Sequence, residues 1–291
     1  MGRAGAPDLS GDATESGHGP GRCARWPHPA LFSQLFYKVD APYFKQKALF
    51  YLDPEDLKNL IEDLPSKKNF FEEITFRDAL RLAMHDSMQE NKNIFIMGVD
   101  VGLYGGAYGV TKDLINIFGK KRVIDTPISE SAIIGSAIGA AMTGLRPIVE
   151  LMYIDFFPMA MDQIANQAAK IRYMFGGQIG VPMTIRTQGG IGRSAGAQHS
   201  QSLENWSMAV PGLKVVAPSN PKDVIGLMTS AVADPDPVIF YEHKSLYPMK
   251  EEVIDTNFTI PLGEANLLHK GNDACICLLY TSDAADDTPC V

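Results

Sequence analysis

The sequence predicts an α/β fold, a parallel sheet with helices on both faces. Three observations carry that expectation. From Thr75 to His243, short apolar runs alternate regularly with segments of helical period. The apolar runs are continuous rather than alternating, as strands buried on both faces are. Capping and stop residues bound the helical segments. At 291 residues, with 45% hydrophobic and 21% charged residues, the chain can bury a sizeable core.

The elements follow in chain order. Residues 1–30 are rich in Gly, Pro, Ala, Ser and charge without a period, and read as disordered or foreign to the domain. Asp53 is placed to cap a helix over PEDLKNLIEDL, with Pro54 in its first turn and Leu57, Leu60 and Ile61 on one face. The folded unit is expected to begin near Thr75, which makes 1–71 an N-terminal extension. Thr75 caps FRDALRLAMHDSMQE, with Asp78 in the box position. NIFIMGVD (93–100) is a strand, VTKDLINIF (110–118) a helix closed by Gly119, and RVIDT (122–126) a strand. A helix from Glu130 to Thr143 is closed by Gly144. RPIVELMY (146–153) is a strand that carries Pro147 near its start. A helix over 159–175 precedes Gly176 and Gly177. VPMTIRT (181–187) and GLKVVAPS (212–219) are strands. Asn220 caps a helix over 220–235 with Pro221 at its first position, and PVIFYEH (237–243) is the last clear strand. No internal repeat is present.

Composition excludes several classes. A formal net charge of −8 argues against a nucleic-acid binder. The longest apolar run, Ser131 to Leu145, is too short and too interrupted to span a bilayer. The four cysteines are Cys23, Cys275, Cys277 and Cys290, and none lies in 30–270. A reducing compartment fits that distribution, and a C-x-C without a second pair is a poor zinc site. Arg3, Arg22 and Arg25 are mixed with Asp8, Asp12 and Glu15, with no apolar stretch between them. That is neither a secretory signal nor an acid-poor transit peptide, so the cytoplasm is favoured over the mitochondrial matrix.

Candidate site residues gather where strands end. Glu130 stands between a strand and a helix of small residues: Ala132, Gly135, Ser136, Ala137, Gly139, Ala140 and Ala141. By position it is a helix N-terminal acid, with Thr126 and Ser129 as cap atoms and Pro127 fixing the entry. The small residues suit either a tight core or the close approach of another chain. Tyr153 and Phe156 close the next strand. His199, in GRSAGAQHSQS, follows a glycine-rich loop, with Gln198, Ser200 and Gln201 beside it to fix its tautomer. His243 closes the last strand and reads as structural. GIGRSA (190–195) formally matches a dinucleotide fingerprint, but the next strand ends in Ser219 with no acid for a ribose, so the match is discounted.

The runs DTPISES, AAMTGLRPIVELM, MDQIANQAAKIRYMFGG, AQHSQS and PGLKVVAPS resemble the pyrimidine-binding domain of thiamine-diphosphate enzymes. Within that group the chain is similar to the beta subunit of the 2-oxo acid dehydrogenase decarboxylating component, closer to the pyruvate and acetoin types than to the branched-chain type. The resemblance spans Ile74 to Leu278. It implies a pyrimidine-type domain over 72–250, and over 251–279 the first hairpin and strand of a truncated transketolase C-terminal-like domain. The tail at 280–291 does not match and reads as foreign.

The resemblance also implies a cofactor, thiamine diphosphate. Glu130 would hydrogen-bond its aminopyrimidine ring nitrogen, and Tyr153 and Phe156 would pack near the ring. His199 would handle the bound intermediate and its transfer to a lipoyl group. The G-D-G…N motif for diphosphate and magnesium is absent from this chain. An alpha subunit is expected to carry it, in a two-alpha, two-beta heterotetramer that hands its product to a lipoyl transacylase, the chain being inactive without that partner. AVADPDP resembles a potassium-binding loop, with Met183, Ala231, Val232, Asp234 and Asp236 as its positions, although an ordinary helix-to-strand turn explains it as well. Two alternatives stay open: the pyrimidine half of a transketolase-like synthase, or a non-catalytic fragment.

Overall fold

The structure is a computed structural model that describes residues 73–192, 195–253, 255–267 and 270–272. The chain divides into two units, Met1–Leu64 and Pro65–Val291, and every described residue lies in the second. The helix expected after Asp53 falls outside the described residues.

A two-residue strand β1 (Ile74–Thr75) leads into α1 (Phe76–Glu90). Thr75 is its N-cap: the Thr75 hydroxyl accepts from the Asp78 N–H at 3.0 Å and donates to the Asp78 carboxylate at 2.6 Å. Then follow β2 (Ile94–Gly98), α2 (Leu114–Phe118), β3 (Val123–Asp125), α3 (Glu130–Met142) and β4 (Arg146–Leu151). A 3-10 segment (Ile154–Ala160), a π-helical segment (Asp162–Ala168) and α4 (Ala169–Met174) run on to β5 (Thr184–Gly189). The rest is α5 (Glu204–Met208), β6 (Lys214–Val216), α6 (Pro221–Ala233), β7 (Val238–His243) and β8 (Lys250–Glu251).

The six central strands run in the order β3-β2-β4-β5-β7-β6, all parallel, and β8 pairs antiparallel with β1. On one face α1 and α6 bury Leu80, Met84, Val224 and Met228 against Ile96, Ile148 and Phe240. On the other, α3 and the 154–174 segment bury Ile134, Ala137, Phe157 and Ile164 against Val149, Leu151, Ile185 and Ile239. Complete burial of side chains of this size contributes about 1.5–3 kcal/mol each. Two covered faces explain why the strands are continuous apolar runs.

Several boundaries move for physical reasons. The helix expected over 110–118 begins only at Leu114, because Asp113 sits at φ 66°, outside the helical region. The helix expected over 159–175 is instead a 3-10 turn holding Pro158, a π segment and one short α-helix. The strand expected over 181–187 is displaced to Thr184–Gly189, since its partner β7 continues to His243 and the ladder closes at Gly189 with His243. Asn220 and Pro221 act as expected: the Asn220 side chain accepts from the Asp223 N–H at 2.7 Å, and Pro221 opens α6. The described stretch 255–267 forms no strand, and the rest of the expected hairpin lies outside the described residues. Among the described residues no helix is long and apolar enough to cross a membrane.

Candidate active site at the carboxyl edge of the sheet

In an open parallel sheet the carboxyl ends of the strands form the natural ligand crevice. The loops after β2, β3, β4, β5 and β7 all leave from that edge. The Asp125 carboxylate, at the end of β3, accepts from the backbone N–H of Gly102 at 2.5 Å and of Leu103 at 3.2 Å, tying two of these loops together.

Three of the expected residues meet there. The His199 ring lies edge-on to Tyr153 and to Phe156, each with centroids 5.4 Å apart. Tyr153 continues the aromatic chain to Tyr108, which stacks on Tyr247 at 4.6 Å. The residues flanking His199 do something other than expected. Neither Gln198, Ser200 nor Gln201 hydrogen-bonds its imidazole among the described residues. Ser200 Oγ donates to the Gly196 carbonyl at 3.0 Å, and the Gln201 N–H donates to Asp155 Oδ1 at 3.0 Å. The ring is held by aromatic faces instead.

Glu130 is the first residue of α3 and is half-buried. Its carboxylate has no hydrogen bond or ion pair among the described residues, and no ring or polar contact joins it to Tyr153, Phe156 or His199. The next residue, Ser131, donates through its hydroxyl to the Met159 carbonyl, which fastens the start of α3 to the turn that carries Phe156. The expected capping does not occur: Ser129 makes no side-chain cap bond, and Thr126 Oγ1 is buried without a partner. Along α3, a Cβ added at Gly139 would meet nothing within 4 Å, and one at Gly135 would meet only Gln163, at 3.9 Å. Ala132, Ser136 and Gly139 are exposed, so part of the small-residue face is open within this chain.

A buried charge cluster lies in the same half of the sheet, on the α1 side, and periodicity gave no sign of it. Arg186 is fully buried. It forks onto Glu242 at 2.6 and 2.8 Å and reaches Glu150 at 2.9 Å, while the Tyr247 hydroxyl donates to Glu242 at 2.6 Å. Burial raises the Glu150 pKa, and Arg186 only partly offsets this. Burial would lower the pKa of the Arg186 guanidinium, but the two carboxylates outweigh it and hold the group above its ordinary value. The signal in the sequence was an Arg in a strand, Thr184–Gly189, whose every residue is buried.

On the opposite face Glu204 and Asp155 lie within electrostatic reach of the buried Tyr241. Burial pushes the Glu204 carboxyl up. It raises Tyr241 as well, with Glu204 and Asp155 adding to it. His243, at the end of β7, is half-buried. Its Nδ1 accepts from the Ser245 N–H at 3.3 Å and lies 2.6 Å from Ser245 Oγ. Burial and then Lys244 lower its pKa, which keeps it neutral. Gly190, at φ 81°, passes so close above that ring that a Cβ would sit 2.3 Å from Nε2.

The potassium positions lie at the other end of the sheet, where β5 and β7 begin. The Met183 carbonyl accepts from the Val238 N–H, and that of Ala231 from the Asp234 N–H. Arg146 donates to the carbonyls of Val232 and Asp234 at 2.8 and 3.1 Å. Lys214 Nζ sits 2.7 Å from both Asp234 carboxylate oxygens, and Arg172 pairs with Asp236. Arg146 thus takes two of the named carbonyls, while Lys214 and Arg172 pair with the two carboxylates. Among the described residues no group of three or more His, Cys, Asp or Glu could hold a metal.

Residues 72–250 match the family model for the transketolase pyrimidine-binding domain. The chain belongs to that family. Over 204 residues it is 50% identical to the pyruvate dehydrogenase E1 component subunit beta of Gracilaria tenuistipitata var. liui, covering 70% of this chain and 63% of that protein. Over 215 residues it is 48% identical to the acetoin:2,6-dichlorophenolindophenol oxidoreductase subunit beta of Bacillus subtilis (strain 168), with the same two coverages. The chain therefore spans less than two thirds of the length of these relatives. A solved structure described as a split gene transketolase, inactive beta4 tetramer, superposes with a TM-score of 0.52 at 17% identity, over 65% of this chain and 56% of that one. At that identity the likeness concerns the fold.

Proposed function

We propose that the chain is the beta subunit of a heteromeric 2-oxo acid dehydrogenase of the pyruvate or acetoin type, and that it contributes the aminopyrimidine half of a thiamine-diphosphate site. The observation that carries this reading is the arrangement at the carboxyl edge. An aromatic pair clasps His199, and an acid with no hydrogen-bond or ion-pair partner among the described residues opens the adjacent helix. The donor set fits the cofactor: an aminopyrimidine needs an apolar face and an acid for its ring nitrogen, which Phe156 and Glu130 offer. Magnesium and the diphosphate fall to an alpha subunit carrying G-D-G…N, in a two-alpha, two-beta assembly in the cytoplasm. A lipoyl transacylase takes the acyl group.

When bound, thiamine diphosphate supplies a nucleophilic carbon and an electron sink for loss of carbon dioxide. Glu130 holds a proton at the aminopyrimidine ring nitrogen. Phe156 gives the ring an apolar face and keeps water from it. His199, set against Tyr153 and Phe156, would hold or give up a proton during acyl transfer to a lipoyl arm.

The test is turnover. The chain, assembled with an alpha subunit from the same genome, is given pyruvate, a branched-chain 2-oxo acid or acetoin, with dichlorophenolindophenol as electron acceptor. Dye reduction that requires both subunits and thiamine diphosphate is expected with pyruvate or acetoin. No reduction with any of the three refutes the reading.

A further inference from the structure

Nothing in the family assignment explains how His199 is kept between Tyr153 and Phe156. Its loop, 195–201, lies largely exposed at the sheet edge, and loops of that kind open locally. Two buried charged side chains reach it from the 3-10 turns that follow two different strands. Asp155, which follows β4, is 8% exposed. Its Oδ1 accepts from the Gln201 N–H at 3.0 Å, and the Gln201 carbonyl in turn accepts from the Gly190 N–H at 3.1 Å. The chain leaving His199 is thereby fastened both to the turn that bears Phe156 and to the end of β5. Lys244, which follows β7, is 4% exposed. Its Nζ donates to the His199 carbonyl and lies 5.4 Å from the centroid of the Tyr153 ring. One ammonium group thus touches both the histidine's backbone and one of the two rings against which the histidine packs.

We propose that Asp155 and Lys244 are positioning residues that hold the His199 imidazole between Tyr153 and Phe156, Asp155 by its acceptor oxygen and Lys244 by bridging the His199 carbonyl and the Tyr153 ring. Neither acts on substrate. Asp155 stands between the two aromatic residues in sequence, so one short turn sets both the walls and the tether of the imidazole. What Asp155 supplies is an acceptor, so an uncharged acceptor of the same shape serves equally.

The inference rests on the proposed role of His199, but its test has a readout independent of turnover. In the assembled complex, the rate at which diethyl pyrocarbonate modifies His199 is followed by peptide mass spectrometry, with His85 in α1 as reference in the same sample. Asp155→Ala and Lys244→Met are expected to raise the His199 rate about fivefold, the local-opening equivalent of one ordinary hydrogen bond, with His85 unchanged. Asp155→Asn is expected to stay within about twofold of the parent, because the amide oxygen still accepts from Gln201. An unchanged His199 rate in both Asp155→Ala and Lys244→Met overturns the proposal. So does an Asp155→Asn variant as reactive as Asp155→Ala, since that would make the charge, not the acceptor, the operative feature. Should Asp155→Ala melt below the assay temperature, Lys244→Met carries the same expectation and the same refutation. A parent complex without 2-oxo acid turnover would sink the functional reading while leaving this comparison of rates to decide the positioning.

Discussion

Glu130→Gln, in the complex with an alpha subunit, is expected to lower 2-oxo acid decarboxylation by roughly 10²- to 10⁴-fold, the range that positioned acid–base groups contribute. Assembly and melting temperature should stay near those of the parent. The two halves of that expectation come from one observation. The Glu130 side chain is half-buried and makes no hydrogen bond or ion pair among the described residues, so the fold does not depend on its charge. The amide keeps the shape and loses the exchangeable acid. Dye reduction within about tenfold of the parent would remove Glu130 from the chemistry. A large fall in melting temperature would show that the carboxylate serves the fold.

The second large effect concerns stability. Arg186→Met leaves Glu150 and Glu242, which flank it from the two neighbouring strands, buried without their cation, and breaking a buried pair in this way costs about 3–5 kcal/mol. For a domain of this size that corresponds to a fall of roughly 10 °C in melting temperature. The pH dependence has a definite sign. The Glu150 pKa is already raised in the folded state. Without Arg186, which partly offsets the effect of burial, Glu150 binds a proton still more readily folded than unfolded. Its contribution to stability is then greatest below the unfolded carboxylate pKa and is lost as pH rises through the higher folded value. The deficit of the variant should therefore be smallest in acid and grow toward neutrality. The triple variant Glu150→Gln, Arg186→Met, Glu242→Gln removes the stranded charges and should recover much of the loss at neutral pH. Melting curves from acid to neutral pH decide this, and a pH-independent deficit would contradict it.

These two residues also mark what the sequence made legible. The Glu130 junction could be read locally: a strand ending in Asp125, a Pro, an acid and a helix of small residues all lie within one short stretch. The same is true of Thr75, Asn220 and Pro221, whose caps form as read, because a cap involves only neighbours in the chain. Arg186 could not be read that way. Its partners, Glu150 and Glu242, stand 36 and 56 residues away on strands that only the sheet order brings beside it. The tethering of His199 by Asp155 and Lys244 was hidden for the same reason, at separations of 46 and 45 residues. The segment 154–174 misled differently. Its apolar spacing is helical, but Pro158 and a π segment divide it, and hydrophobic periodicity does not distinguish those geometries. The contacts of the loop that resembles a potassium site were hidden in the same way as those of Arg186. The positions were recognisable, while Arg146, Arg172 and Lys214, which supply the cations there, come from elements far off in the chain.

The central claim is that this chain holds only half of a cofactor site. The most direct measurement is a calorimetric titration of thiamine diphosphate with magnesium into three samples: the chain, the alpha subunit, and the two assembled. The account predicts saturable binding in the assembly, at one cofactor per pair of subunits, and none of comparable affinity in either chain by itself. Binding of full affinity to the alpha subunit without this chain, or to this chain without the alpha subunit, would contradict it.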